Sequence, residues 1–163
     1  MNWIFDLDNT IYNTDNLNYS NISNDNYLKC LLNNLQGNKY IFTNATLGHA
    51  EIVLNRLGVL DIFDNIIDRN EMRTLKPRRA AYNYFIENTN LNRNRRTVFF
   101  EDTIENLIAA KRDFGWITVL ILPQTSSISR TSQTSEYIDY IYRDIHTAVE
   151  NFSFNPGRCY ALR

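Results

Sequence analysis

The sequence predicts an α/β fold, a single Rossmann-like three-layer domain around a central, mainly parallel sheet, and three observations predict it. Short apolar runs alternate with longer stretches whose apolar residues recur at helical spacing, which is the order of repeated βαβ units. Acidic and hydroxyl residues follow several of those runs, where an open parallel sheet places its ligands, beyond the carboxyl ends of the strands. The chain has 163 residues, 44% of them hydrophobic, enough to bury one core and too few for two large domains.

Taken in order, the first strand is expected at Trp3 to Leu7. Asparagine crowds the stretch from Asn13 to Asn26; Asn and Asp favour turns over helix interiors, so this reads as a polar loop. Apolar residues at helical spacing then predict a helix over Asn26 to Leu35. A strand at Tyr40 to Thr43, a helix at Leu47 to Leu57 and a short strand at Asn65 to Asp68 follow. Pro77 suits the first turn of a helix running to Asn88 and disfavours helix at Lys76, which places Lys76 on a loop at a helix start. A strand at Thr97 to Glu101, a helix at Ile104 to Phe114 and strands at Ile117 to Leu122 and Tyr137 to Ile141 complete the pattern. The Ser/Thr-rich stretch Gln124 to Ser135 reads as one long surface loop.

Composition weighs against several function classes. The 17 basic residues against 18 acidic ones leave a net charge of -1, so nothing global favours a nucleic acid or an anionic membrane as partner. The longest mainly apolar run, Trp116 to Leu122, covers about a third of the ~20 residues a bilayer requires, and no basic segment followed by an apolar one opens the chain. The expectation is a cytoplasmic protein. Cys30 and Cys159 lack CxxC spacing and nearby histidine, which argues against zinc or a redox pair and reads as two buried thiols. His146 has no catalytic neighbour in sequence and reads as surface; His49, on the first turn of a helix, reads as structural.

The groups that gather at the strand ends have the chemistry of phosphoryl transfer, which needs a nucleophile, charge compensation for the phosphate oxygens and a proton for the leaving alkoxide. Asp6 is the candidate nucleophile. Asp8, two residues on, is the candidate general acid and then base. Asp6, Asp102 and Glu101, with the main chain at Asp8, supply the oxygen-rich set that suits magnesium. Thr43, Asn44 and Lys76 are the candidate phosphate binders, through a hydroxyl, an amide and a full charge. Arg78, Arg79, Arg93, Arg95 and Arg96 form two local basic clusters. By default these are a solvated face; the first adjoins Lys76, where it could attract a polyanion.

Four motifs in order, Asp6-Leu7-Asp8-Asn9-Thr10, Ile41-Phe42-Thr43-Asn44-Ala45, Lys76-Pro77 and Glu101-Asp102-Thr103-Ile104-Glu105-Asn106, resemble the haloacid dehalogenase superfamily of phosphatases. The resemblance implies Asp6 as nucleophile, Asp8 as acid/base with its main-chain carbonyl on the metal, Thr43 and Lys76 on phosphate, and Asp102 as a metal ligand supported by Glu101. It also implies Mg2+ as cofactor. Phe5 to Tyr12, Thr43-Asn44-Ala45 with His49-Ala50, and Leu54-x-x-Leu57-Gly58 are similar to the pyrimidine 5′-nucleotidase branch. That branch carries a helical cap between the first two motifs; here only roughly thirty residues, a short insert over about positions 11–38, stand in its place, room for one helix and a loop. The expected substrate is a phosphorylated small molecule or, in an open site, a phosphorylated macromolecule such as a protein or a nucleic-acid end, and a second subunit of a homo-oligomer could serve as the lid; the alternative from another class is a non-catalytic binding protein on the same fold.

Overall fold

In a computed structural model, which describes residues 1–13, 18–122 and 136–163, six strands form one parallel sheet in the order β3-β2-β1-β4-β5-β6. The strands are β1 Asn2–Phe5, β2 Asn38–Phe42, β3 Asn65–Ile67, β4 Thr97–Glu101, β5 Ile117–Ile121 and β6 Tyr140–Tyr142. The helices are α1 Asn26–Asn33, α2 Leu47–Leu57, the short α3 Arg69–Met72, α4 Arg79–Asn88, α5 Ile104–Phe114 and α6 Ile145–Phe152. The chain winds outward from β1 through β2 and β3, then returns to the other side of β1 for β4, β5 and β6. The order of strands therefore reverses at β1 and β4, the place where such sheets bind ligands.

Period-two alternation divides the core. Trp3, Phe5, Ile41, Val98, Phe100 and Val119 pack on one face with α1, α2 and α6; Ile4, Tyr40, Phe42, Phe99 and Leu120 pack on the other with α4 and α5. Every residue of β1 and β4 is buried, as expected of central strands covered on both faces. Fully burying one Phe or Leu stabilises the fold by about 1.5–3 kcal/mol. Phe5 and Phe100 stack across neighbouring strands with ring centroids 4.6 Å apart.

The helix ends follow local chemistry. Asp25 Oδ1 accepts from the Leu28 N–H at 2.8 Å to start α1, and Thr46 caps α2. Gly58 and Gly115 end α2 and α5 with φ of 74° and 65°, the left-handed conformation that a residue without Cβ adopts without penalty.

Several expectations require correction. The β1 ladder ends at Phe5 rather than Leu7, although the Asp6 N–H still donates to the Phe100 carbonyl. The helix expected from Pro77, α4, starts at Arg79, so Pro77 belongs to the preceding turn, closed by Arg78 N–H to the Leu75 carbonyl, and Lys76 stands outside the helix start. The last strand is Tyr140–Tyr142 rather than Tyr137 to Ile141, because Asp139 uses its side chain to hold Thr118 and Lys111 before regular pairing begins. The surface loop expected over 124–135 lies outside the described residues.

The cysteines are not free thiols: Cys30 on α1 and Cys159 form a disulfide across 129 positions of sequence. His146 is not a plain surface residue either. Its Nε2 lies 2.8 Å from Asp25 Oδ2 and its ring stacks on Tyr27, joining α6 to the start of α1. No helix among the described residues is long and apolar enough to cross a membrane.

Candidate active site

The site stands at the carboxyl ends of β1, β2 and β4, in a cleft of about 300 Å3 lined by Asp6, Asp8, Asn9, Thr43, Asn44, Glu101, Asp102 and Asn106, among others. Lys76 is its electrostatic centre. The Nζ donates to Asp6 Oδ1 at 2.7 Å, to Glu101 Oε1 at 2.9 Å and to the Phe42 carbonyl at 2.6 Å. It also lies 5.0 Å from the Phe42 ring centre and 5.3 Å from that of Phe99. Burial opposes the charge of this ammonium, but the two carboxylates raise its pKa above the ordinary lysine value.

Oxygens of Asp6, Glu101 and Asp102 all come within 4.8 Å of one another. Three ionised carboxylates less one ammonium leave two negative charges in a confined space. Burial first, then the neighbouring carboxylates, pushes Asp6 up to about 8 despite its contact with Lys76. Burial followed by the hydrogen bond and charge of Glu101 pushes Asp102 up to about 7. Glu101 moves the opposite way: burial opposes its charge, but Lys76 and a 2.7 Å bond from the Thr103 N–H hold it below the usual glutamate value. A divalent cation would relieve this crowding, and an all-oxygen donor set of carboxylates suits a hard ion. The residues present therefore fit a magnesium-type ion, held by Asp6 and Asp102 with Glu101 beside them. Asn106 donates to Glu101 Oε1, while its own buried Oδ1 has no hydrogen-bond partner among the described residues.

The loop after β1 brings a second group of side chains together. Asn9 adopts φ 57°, a left-handed conformation that asparagine tolerates, and the chain folds back so that Ile11 N–H reaches the Leu7 carbonyl at 3.0 Å. Tyr12 thereby donates its hydroxyl to Asp8 Oδ1 at 2.6 Å. The same oxygen lies 2.8 Å from Nε2 of His49, on the first turn of α2. Behind His49, the Tyr19 hydroxyl meets Nδ1 at 2.7 Å; Tyr19 belongs to a 3-10 turn, Tyr19–Asn21, in the segment between β1 and β2.

Thr43 is buried, and its Oγ1 accepts from the Ala45 N–H at 3.0 Å. Asn44 lines the cleft, but its side chain brackets the Lys76 main chain: Oδ1 accepts from Lys76 N–H at 3.0 Å and Nδ2 donates to the Lys76 carbonyl at 3.1 Å. It fixes the lysine's backbone. Thr103 occupies the first position of the α5 cap, yet its side chain makes no capping bond. The exposed Arg78 and Arg79 do not line the cleft, and Arg79 lies 5.6 Å over the Phe114 ring. Arg93, Arg95 and Arg96 line a different cleft of about 450 Å3 at the amino end of β4.

All the acidic candidates and Lys76 are thus brought together. The partnership of Tyr12, His49 and Tyr19 with Asp8 was missed, because Tyr19 sits in a polar stretch with no motif and His49 offers nothing in sequence to name its partner. The spacing of Asp8 and Tyr12 was the one available signal.

Among solved structures, the chain is similar to a HAD hydrolase, YfnB, from Bacillus subtilis bound to magnesium, at 21% identity and TM-score 0.62, covering 76% of this chain and 53% of that one. It is similar to an L-2-haloacid dehalogenase from Xanthobacter autotrophicus with chloropropionic acid covalently bound, at 15% identity and TM-score 0.57, covering 75% and 58%. It is also similar to a HAD phosphatase from Thermococcus onnurineus, at 20% identity and TM-score 0.55, covering 74% and 53%. The chain thus spans little more than half the length of each of these, and the likeness shows a common fold. The family model for haloacid dehalogenase-like hydrolases matches residues 20–112, more than half of the chain, and the chain belongs to that family.

Proposed function

We propose that the protein is a magnesium-dependent phosphatase that hydrolyses a phosphate monoester through an aspartyl-phosphate on Asp6. The observation that carries this reading is the group of Asp6, Glu101 and Asp102 around the buried Lys76. Phosphoryl transfer is catalysed chiefly by positioning and by compensation of charge, and a carboxylate nucleophile meets an anionic substrate only where cations offset the repulsion. When bound, the metal supplies that positive charge to the phosphate oxygens.

This chain's own residues do the rest. The Asp6 carboxylate attacks phosphorus as the bond to the leaving oxygen breaks. Asp8 gives that oxygen its proton, and the resulting carboxylate then takes a proton from the water that attacks phosphorus and releases Asp6. Lys76 holds Asp6 in place, and the Thr43 hydroxyl and main-chain N–H groups beyond β2 meet the phosphate oxygens.

Dehalogenation is favoured less by these residues. A halide departs as a stable anion and needs no proton, so Asp8 and the three-carboxylate cluster would have no task in it. The likeness to the pyrimidine 5′-nucleotidase branch makes nucleoside monophosphates the first substrates to assay. The short insert between β1 and β2 favours, as a second reading, an end-phosphorylated macromolecule.

The test is phosphate release from p-nitrophenyl phosphate, a nucleoside monophosphate panel and 5′-phosphorylated oligonucleotides, with magnesium and with chelator, for the native protein and Asp6→Asn. Magnesium-dependent release lost in Asp6→Asn is the expected result. Turnover undiminished by Asp6→Asn would sink the aspartyl mechanism, and release from the oligonucleotides alone would replace the small-molecule reading with the second.

A further inference from the structure

We infer that Tyr12 and His49, with Tyr19 behind them, are positioning residues for Asp8: they hold Oδ1 and leave Oδ2 as the oxygen that delivers the proton and takes it back. The inference rests on the phosphatase reading above and deepens it.

Hydrogen-bond direction fixes the arrangement. Tyr12 donates to Asp8 Oδ1 at 2.6 Å, and His49 Nε2 meets the same oxygen at 2.8 Å. A neutral imidazole carries one N–H and one acceptor nitrogen. The Asp8 carboxylate oxygen can only accept, so the ring proton resides on Nε2, where it points to Asp8, and Nδ1 is left to accept from the Tyr19 hydroxyl at 2.7 Å. The Tyr12 hydroxyl oxygen also lies 3.1 Å from Nε2; with its own proton given to Oδ1 it faces the Nε2–H as an acceptor, so this tautomer sets no donor against a donor. With two donors on Oδ1, a proton carried by Asp8 resides on Oδ2, and the carboxyl cannot rotate without breaking both bonds. In the first step that proton passes from Oδ2 to the leaving oxygen as its bond to phosphorus breaks and the Asp6–phosphorus bond forms. In the second, Oδ2 takes a proton from water as the water oxygen binds phosphorus and Asp6 departs.

The local structure serves the same end. Backbone pairing of Asp8 with Tyr12 and the left-handed Asn9 return Tyr12 to Asp8. His49 is held on α2 with only 14% of its side chain exposed, against 34% for Asp8. Tyr19 comes from the segment between β1 and β2, so that segment reaches the acid/base through one imidazole.

The test exploits the leaving group. An acid matters most when a poor leaving group must be protonated, and least for p-nitrophenolate. The quantity to measure is kcat/KM, which reports the steps up to departure of the leaving group, for p-nitrophenyl phosphate and for an alkyl phosphate. Tyr12→Phe and His49→Ala are each expected to lower the alkyl value about 10- to 100-fold, within the range that general acids supply, and the p-nitrophenyl value less than about threefold. His49→Gln, which retains an N–H near the Nε2 position, is expected to restore most of the alkyl value, and Asp8→Ala to show the same selectivity more strongly. Equal losses on both substrates would mean a structural role and overturn the inference, as would no loss on either. A native protein inert toward both, or an Asp6→Asn variant as active as the native, would instead bring down the phosphatase reading.

Discussion

Lys76 places its Nζ 2.7 Å from Oδ1 of Asp6, so the proposed nucleophile is already paired with a buried cation before any substrate arrives. That pair, extended to Glu101 at 2.9 Å, has consequences for stability as well as for chemistry. Lys76→Met leaves two buried carboxylates without their counter-charge, and breaking such a pair from one side costs about 3–5 kcal/mol. Urea denaturation of Lys76→Met is expected to show a loss of that size together with loss of phosphatase activity. Native-like stability would mean that Asp6 and Glu101 take up protons or water at little cost.

Metal binding should be visible without any substrate. A ligand that binds only the folded state at 100 times its Kd stabilises by about 2.7 kcal/mol, so magnesium is expected to raise Tm by several degrees and chelator to reverse it. Asp102→Asn removes one carboxylate of the cluster and is expected to reduce that response sharply. An undiminished magnesium shift in Asp102→Asn would place the ion elsewhere.

The metal-free protein should lose stability as pH rises through neutrality. Asp6 is raised to about 8 and Asp102 to about 7, so between the unfolded carboxylate range and these values the folded state binds more protons than the unfolded one. Stability from these groups is then complete below about pH 4 and is lost as pH rises through 7 to 8. Glu101, lowered, contributes in the opposite sense, its part being lost as pH falls below its ordinary value. Thermal melts in chelator from pH 5 to 9 are expected to show a declining Tm on the alkaline side, and magnesium should flatten the decline. A chelated protein whose Tm rises over that interval would contradict the assignment.

The Cys30–Cys159 bond closes a loop spanning 129 positions. Native disulfides that close loops of this order stabilise by about 2–5 kcal/mol. Cys159→Ser is expected to lower stability by that amount, measured by urea denaturation, and to match the native protein treated with reductant. Two thiols titrating in the unfolded, unreduced protein would show that the bond is not formed.

Legibility in the sequence followed the reach of the interactions. The order of strands and helices was readable because it depends on local periodicity, and the acidic edge because Asp6, Asp8, Glu101 and Asp102 immediately follow apolar runs. Asn44 was expected on phosphate, whereas its side chain holds the Lys76 main chain 32 positions away; a pairing at that distance leaves no local trace. The disulfide and the His146–Asp25 contact were hidden for the same reason, since both join α1 to the last part of the chain. The strand limits shifted because Asp139 pairs by side chain where regular pairing was expected.

The two strands that carry the acidic edge, β1 and β4, expose none of their residues. Their position is therefore set by the interior, and the asparagine-laden exterior has little hold on it. Such a molecule separates two kinds of evolutionary freedom: its outer composition can drift with the nucleotide bias of a genome while the acidic edge stays in register. Altered specificity would then arise most readily around Tyr19, in the segment between β1 and β2, which meets the site through His49 of α2 without forming part of the sheet.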